Sequence, residues 1–461
     1  MDMTVSIKNH YTVKPATQTW RGRIPLTELD QVGIISHVPI IYFYKLSSPD
    51  SIINILRGSL SQILVPFYPL AGRLCLLGRG RMELDCNSDG ALLVDAESKL
   101  RLDFSVPDFS SLSRSLAPHL LPRIDYRRVP LPEIPILLVQ HTKFNCGAIS
   151  VAVGISHTVA DGRSVFHFIS EWARVTRGEP VRVMPRFNDA EILRIINPYD
   201  SDPWQDPDKN FSSDPPILLF DPDSTHSSID KTTEATMILT KNKVANLKIM
   251  ANSDSNLNFS RYESIAAHIW RCACKARFQK PDDPTGLAVC IDIRNRLRQP
   301  ALPQSYFGNA AFDFVVKSTV GEIISNPLTF ATSKIRETVK KVTNEYVRYA
   351  IGYLKNQPDL TMFQDSLKAL KRSDIVGVLS WLTFPSHDFD FVWGKVEFAE
   401  PGDRDFDGDC VILPGPENDE SIVVRVRLQV THMEAFKKYF HEDIHAAAYA
   451  DRTGFKKRSS L

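Results

Sequence analysis

The sequence predicts a mixed α/β (α+β) protein of two domains, on three observations. The chain has 461 residues, and a single hydrophobic core stops growing at roughly 250–300. Helical and strand periodicities succeed one another without the strict βαβ order of a parallel sheet. Between Pro185 and Glu234 both periodicities collapse into strings such as YDSDPWQDPDKNFSSDPP, the composition of a linker or a functional loop. The expected organisation is an N-terminal domain over 1–184, a crossover linker over 185–234 and a C-terminal domain over 235–461, with a substrate site where the two meet.

The elements follow from local pattern. Ile52, Ile53, Leu56, Leu60, Ile63 and Leu64 recur at helical spacing until Phe67-Tyr68-Pro69 stops them. Arg73 to Asp85 and Ile134 to Lys143 read as strands, the second ending in the turn Asn145-Cys146-Gly147. In Ala148 to Ser156 bulky Ile149, Val151, Val153 and Ile155 alternate with small residues, a strand with one bulky face. A helix follows at Val165 to Thr176. Beyond the linker the pattern predicts helices at Ser260 to Arg277, Ile323 to Tyr353 and Met433 to Tyr449, and strands at Gly286 to Ile293, Asp374 to Thr383 and Ile422 to Val430.

Composition narrows the function classes. With 55 basic against 54 acidic side chains the formal net charge is +1, which argues against a general nucleic-acid binder. Seven cysteines without C-x-x-C spacing form no disulfide framework, so reduced thiols and a cytoplasmic protein are expected. No run of about 18 apolar residues predicts a membrane span. The ending Ser459-Ser460-Leu461 lacks the middle lysine of a peroxisomal address.

Three constellations could carry chemistry. His157-Thr158-Val159-Ala160-Asp161-Gly162 stands between the alternating strand and a helix, where a rigid scaffold can present an imidazole with a pKa near about 6.5 to a cavity. A polar turn with a satisfied histidine is the plainer reading of H-x-x-x-D alone. Asp403, Asp405, Asp407 and Asp409 offer four carboxylates either as an acidic surface turn or as a clamp for a cationic acceptor. They do not make an EF-hand, because Pro414 stands where the twelfth-position glutamate belongs. His441-Glu442-Asp443-Ile444-His445 satisfies H-E-x-x-H and raises a zinc peptidase, but no third ligand with suitable spacing follows, and the apolar stripe Met433, Phe436, Phe440 and Ile444 predicts a packed helix instead.

Taken together, Tyr68-Pro69-Leu70-Ala71-Gly72-Arg73-Leu74, the His157 motif, Asp292-Ile293-Arg294, Tyr306-Phe307-Gly308-Asn309 and Asp390-Phe391-Val392-Trp393-Gly394 stand in the order found in the BAHD acyltransferases of plants, and the chain resembles that family over nearly its whole length. Segments such as TWRGRIPLTELDQVG, SRYESIAAHIWRCACKAR and YLKNQPDL resemble most its branch acting on spermidine. The resemblance implies two similar chloramphenicol-acetyltransferase-like domains with a channel between them. It implies a monomer that binds no metal and no resident cofactor, takes acyl-CoA as co-substrate and acylates a polyamine. By the same resemblance His157 is the general base, Asp390 a second catalytic acid or a structural salt-bridge partner, and Trp381 a neighbour of the acyl carbonyl. Asp161 is turned away to pair with Arg294, supported by Gly162, Trp393 and Gly394. Tyr42, Arg261, Lys275, Arg296, Tyr306 and Asn309 fall in acyl-CoA-facing segments. Leu379 stands where relatives using shikimate carry threonine, so a hydroxyl donor is missing there. The sequence departs from the family at Val392, which replaces a glycine. A positive φ at that position would strain valine, and a catalytically silent binding protein is the alternative that this departure raises.

Overall fold

The computed structural model describes residues 4–45, 52–105, 109–196, 231–253, 257–364, 374–384, 389–402, 406–415 and 419–452. The first half contributes strands β1 (Val5–Val13), β2 (Arg23–Pro25), β3 (His37–Tyr44), β4 (Arg73–Gly78), β5 (Arg81–Asp85), β6 (Ala91–Ser98), β7 (Leu137–Phe144) and β8 (Ile149–Ser156), with helices α1 (Glu28–Gln31), α2 (Ile52–Ile63), α3 (Phe109–Leu116), α4 (Gly162–Thr176) and α5 (Ala190–Ile196). The second half contributes β9 (Thr232–Leu239), β10 (Pro284–Asp292), β11 (Ala311–Thr319), β12 (Ile375–Ser380), β13 (Phe398–Pro401), β14 (Asp409–Pro414) and β15 (Ile422–Gln429). Its helices are α6 (Lys241–Asn252), α7 (Arg261–Ala276), α8 (Val320–Ser325), α9 (Leu328–Lys341), α10 (Asn344–Lys355) and α11 (Val430–Arg452). No helix among the described residues is long and apolar enough to cross a membrane.

Two six-stranded mixed sheets form the two domains, in the orders β1-β6-β7-β8-β3-β13 and β11-β10-β12-β14-β15-β9, with a small sheet β2-β5-β4 beside the first. The stretch Arg73 to Asp85, expected as one strand, is the β4–β5 hairpin, broken where Arg79 and Gly80 take positive φ. The bulky face of β8 lies in the core with α2 and α4, as its alternation predicts. Its small face is buried as well, because Ala152 packs with Ile41, Phe43, Phe144 and residues of α3 in a second cluster. Helix α7 is buried on nearly every side, between its sheet and the helices α9 and α11. Ser260 opens it with a capping box shared with Glu263.

The two halves interlock. Strand β13 leaves the second half and pairs antiparallel with β3, setting Phe398 against Phe43 and Ala399 against Tyr42. The crossover is also more ordered than its composition suggests where it is described. Ile192, Ile195 and Ile196 bury one face of α5 in the second core, Asp189 accepts from the Ile192 amide at 2.8 Å, and β9 begins at Thr232. The i, i+3, i+4 apolar spacing of a single helical turn was masked by the surrounding prolines and aspartates. Residues 197–230 lie outside the described structure.

Candidate active site

His157 follows the last residue of β8, so the sheet fixes where its backbone leaves. Its N–H donates to the Ser36 carbonyl at 2.8 Å, and its carbonyl accepts from the Asn309 side-chain amide at 2.8 Å. The imidazole is half-buried and makes no hydrogen bond to the described residues. An anchored backbone below a ring with open nitrogens is the arrangement a general base needs.

Four residues later the chain enters α4, with Asp161 as N-cap, accepting from the Ser164 amide at 3.0 Å. The remaining lone pairs of that carboxylate take Arg294 and the Ala310 amide (2.9 Å). Arg294, 1 % exposed, also donates to the Ser164 hydroxyl and the Gly308 carbonyl, both at 3.1 Å. Burial opposes ionisation of Asp161, but the Arg294 charge and these hydrogen bonds outweigh it and hold the carboxyl below its usual range. The aspartate therefore faces away from the imidazole's task and binds the loop to the second half. Gly162 lets Phe384 approach: a Cβ there would lie 3.3 Å from its ring. Phe166, one turn on, stacks on Phe384 and meets Trp381 edge-on at 5.3 Å, which brings the end of β12 to the start of α4.

The segment from Phe389 onward packs against β3 and α4. Phe391 stacks on Trp393 at 5.5 Å, and Tyr44 and Trp172 meet these rings edge-on. One oxygen of Asp390 accepts from the amides of Val392 (2.9 Å) and Gly394 (3.1 Å), and its carbonyl accepts from Arg177. That turn requires positive φ at both Val392 (83°) and Gly394 (111°).

A model of the Transferase family matches residues 3–443. The chain belongs to that family. It is a BAHD-type acyltransferase, so neither the peptidase nor the silent binding protein describes it. It is 38% identical over 460 residues to a hydroxycinnamoyl-CoA:piscidic acid hydroxycinnamoyltransferase of Actaea racemosa, covering 95% of this chain and all of the relative. It is 32% identical over 455 residues to a hydroxycinnamoyl-CoA:5-hydroxyanthranilate N-hydroxycinnamoyltransferase of Avena sativa, covering 95% and 99%. Among solved structures, F. graminearum TRI101 complexed with coenzyme A and deoxynivalenol superposes with a TM-score of 0.73 over 90% of this chain and 97% of that one, at 20% identity, a likeness of fold.

Within this BAHD acyltransferase several residues expected to face acyl-CoA are engaged elsewhere. Lys275 pairs with Asp443 on α11 at 2.6 Å and lies over the Tyr439 ring. Arg296 donates to the carbonyls of Val339 and Val342, tying down the end of α9. Tyr306 is buried, and its hydroxyl donates to Asn188. Asn309 is buried between Asp30 and His157. Long polar side chains look alike in sequence whether they face solvent or bond to a neighbouring helix end, which is why spacing did not separate them. Asp390 caps its own turn through one carboxylate oxygen, the structural alternative to a catalytic acid, and no salt bridge joins it to the described residues. Asp407 is buried in an ion pair with Arg277 at 2.9 Å, so it does not face an acceptor, and Asp409 is a buried residue of β14. Asp403 and Asp405 lie outside the described residues, as does the side chain of His445, while Glu442 is exposed. Arg261 is exposed at the first turn of α7. Tyr42 is fully buried edge-on to Phe389, with its hydroxyl unbonded among the described residues.

Sequence reasoning missed Asp30 and Asn188. Thr27 and Asp30 carry the T-x-x-D signal of a capped helix start, but nothing in that signal announces that Asp30 also reaches Asn309.

Proposed function

We propose that the protein transfers a hydroxycinnamoyl group, feruloyl, caffeoyl or coumaroyl, from its CoA thioester to spermidine, with His157 as general base. The observation that carries this reading is the His157 ring, unbonded among the described residues at a strand end whose backbone is held on both sides. The hydroxycinnamoyl donor is supported by the two relatives named above, one of which is an N-acyltransferase. It is supported too by Tyr42: a buried hydroxyl without a partner costs about 1–3 kcal/mol, which a bond to the phenol end of the acyl group would offset. Spermidine is supported by the local resemblance of the segments around Thr27, Ala267 and Asn356 to the polyamine-acylating branch.

The acceptor amine has a pKa near about 10 and attacks as its neutral form, so the site must bind it desolvated. His157 removes the proton as nitrogen adds to the thioester carbonyl, and the tetrahedral oxyanion takes a hydrogen bond from the Trp381 indole. Collapse expels CoA as a thiolate, which recovers the proton from His157. Transfer to another amine or to an alcohol is the second reading, favoured by the engagement of Asp407 with Arg277, which removes one carboxylate from any polyamine clamp.

Incubation with feruloyl-, caffeoyl- and coumaroyl-CoA and a panel of polyamines, other amines and alcohols, followed by product mass, tests this. A spermidine amide is expected. His157→Ala should lower kcat about 10²–10⁴-fold with acyl-CoA binding retained. Products only with alcohols or other amines would overturn the acceptor, and unchanged turnover in His157→Ala would overturn the base.

A further inference from the structure

Two buried aspartates from the first half hold consecutive amides of the second. Asp161 takes the Ala310 amide at 2.9 Å, and Asp30 takes that of Asn309 at 2.8 Å. Asp30 is 2 % exposed and forms no ion pair with the described residues; its partners are amides and a hydroxyl. Its Oδ2 accepts from the Thr27 amide (2.9 Å), the Thr27 hydroxyl (2.8 Å) and the Asn188 side chain (2.9 Å), while its Oδ1 accepts from both the backbone and the side-chain nitrogen of Asn309. Tyr306 donates to Asn188 Oδ1 at 2.9 Å and so orients the amide that bonds to Asp30. The Asn309 amide donates one hydrogen to Asp30 Oδ1 at 3.1 Å and the other to the His157 carbonyl at 2.8 Å. A carboxylate is the one side chain here that can accept on both oxygens from five donors, and it fixes the asparagine so that its nitrogen points at His157.

We infer that Asp30 is a positioning residue for the transfer reaction, acting through Asn309 to hold His157 at the end of β8. The inference rests on His157 being the base. Without Asn309 the His157 carbonyl loses its buried partner, and of the hydrogen bonds that His157's own backbone makes to the described residues only the one to Ser36 is left, although Ser156 before it stays paired in the sheet. A shift of about 1 Å at a reacting group costs up to about 10²-fold in rate, whereas acyl-CoA binding makes no demand on the imidazole's aim.

The test compares kcat and KM for Asp30→Asn, Asn309→Ala, His157→Ala and the double variant Asn309→Ala/His157→Ala, each normalised to folded protein by circular dichroism. Asn309→Ala should lower kcat about ten- to hundredfold with KM for feruloyl-CoA within about twofold. Asp30→Asn places an amide donor against donors and should show the same split; where it does not fold, Asn309→Ala carries the test. Asn309→Ala should cost the residual rate of His157→Ala less than about twofold, because there is no base left to aim. Wild-type kcat in Asn309→Ala, or an equal loss in the His157→Ala background, would overturn the inference. Unchanged turnover in His157→Ala would instead overturn the reading beneath it.

Discussion

Arg294 grips Asp161 through two parallel hydrogen bonds, Nη1 to Oδ2 at 2.7 Å and Nη2 to Oδ1 at 3.0 Å, with both side chains buried. The pair joins the loop after His157 to the strand end at Asp292. Removing one member of a buried pair leaves the other charge uncompensated, at a cost of about 3–5 kcal/mol. Asp161→Asn should therefore fall in melting temperature and soluble yield, with activity per folded molecule reduced less than the yield. A variant that melts with the wild type would show that the pair does not hold the loop.

The same carboxylate makes an acid prediction whose sign is fixed. Its pKa is held below the ordinary value of about 3.9, so its stabilisation is complete above that pH and is lost as pH falls through the lower folded value. Melting temperatures of wild type and Asp161→Asn should converge on acidification below about pH 4. Parallel curves across that window would assign the acid sensitivity to other groups.

Val392 stands with φ 83° in a turn where Asp390 holds the amide of Val392 itself and that of Gly394, and the residue is 56 % exposed. A β-branched residue in this region costs about 1–3 kcal/mol, and glycine gives back part of the gain through chain entropy. Little packing is lost by removing so exposed a side chain. Val392→Gly should raise stability by about 1 kcal/mol, read as a higher melting temperature, with kcat unchanged. A lower melting temperature would mean that the loop uses contacts of the valine itself.

The parts of this molecule legible in sequence are those set by neighbours in the chain. The alternation from Ile149 to Ile155 and the helical spacing in α2, α4 and α7 reappear as strand and helices because each buries its own periodic face. Strand β13 was not legible: four residues pair with β3 across more than 350 positions, and their pattern carries no period of its own. The site divides in the same way. His157 and Asp161 flank a strand-to-helix junction that the pattern shows, whereas the tie from Asp30 to Asn309 is purely tertiary.

That distinction yields a last prediction, on two arginines the sequence treats alike. Arg261 is exposed at the start of α7, where the helix dipole favours an anion, and no hydrogen bond to the described residues holds it. Arg296 instead satisfies the Val339 and Val342 carbonyls, at 3.0 and 2.6 Å. If the CoA phosphates lie along α7, Arg261→Ala should raise KM for acyl-CoA about three- to tenfold, more at low salt than at high salt, with melting temperature unchanged. Arg296→Ala should do the reverse, leaving KM intact and lowering stability by about 1–3 kcal/mol as two helix-end carbonyls lose their donor. Steady-state kinetics at two ionic strengths, run beside thermal melts, separate the two. A raised KM in Arg296→Ala with a wild-type melt would return that residue to the CoA site.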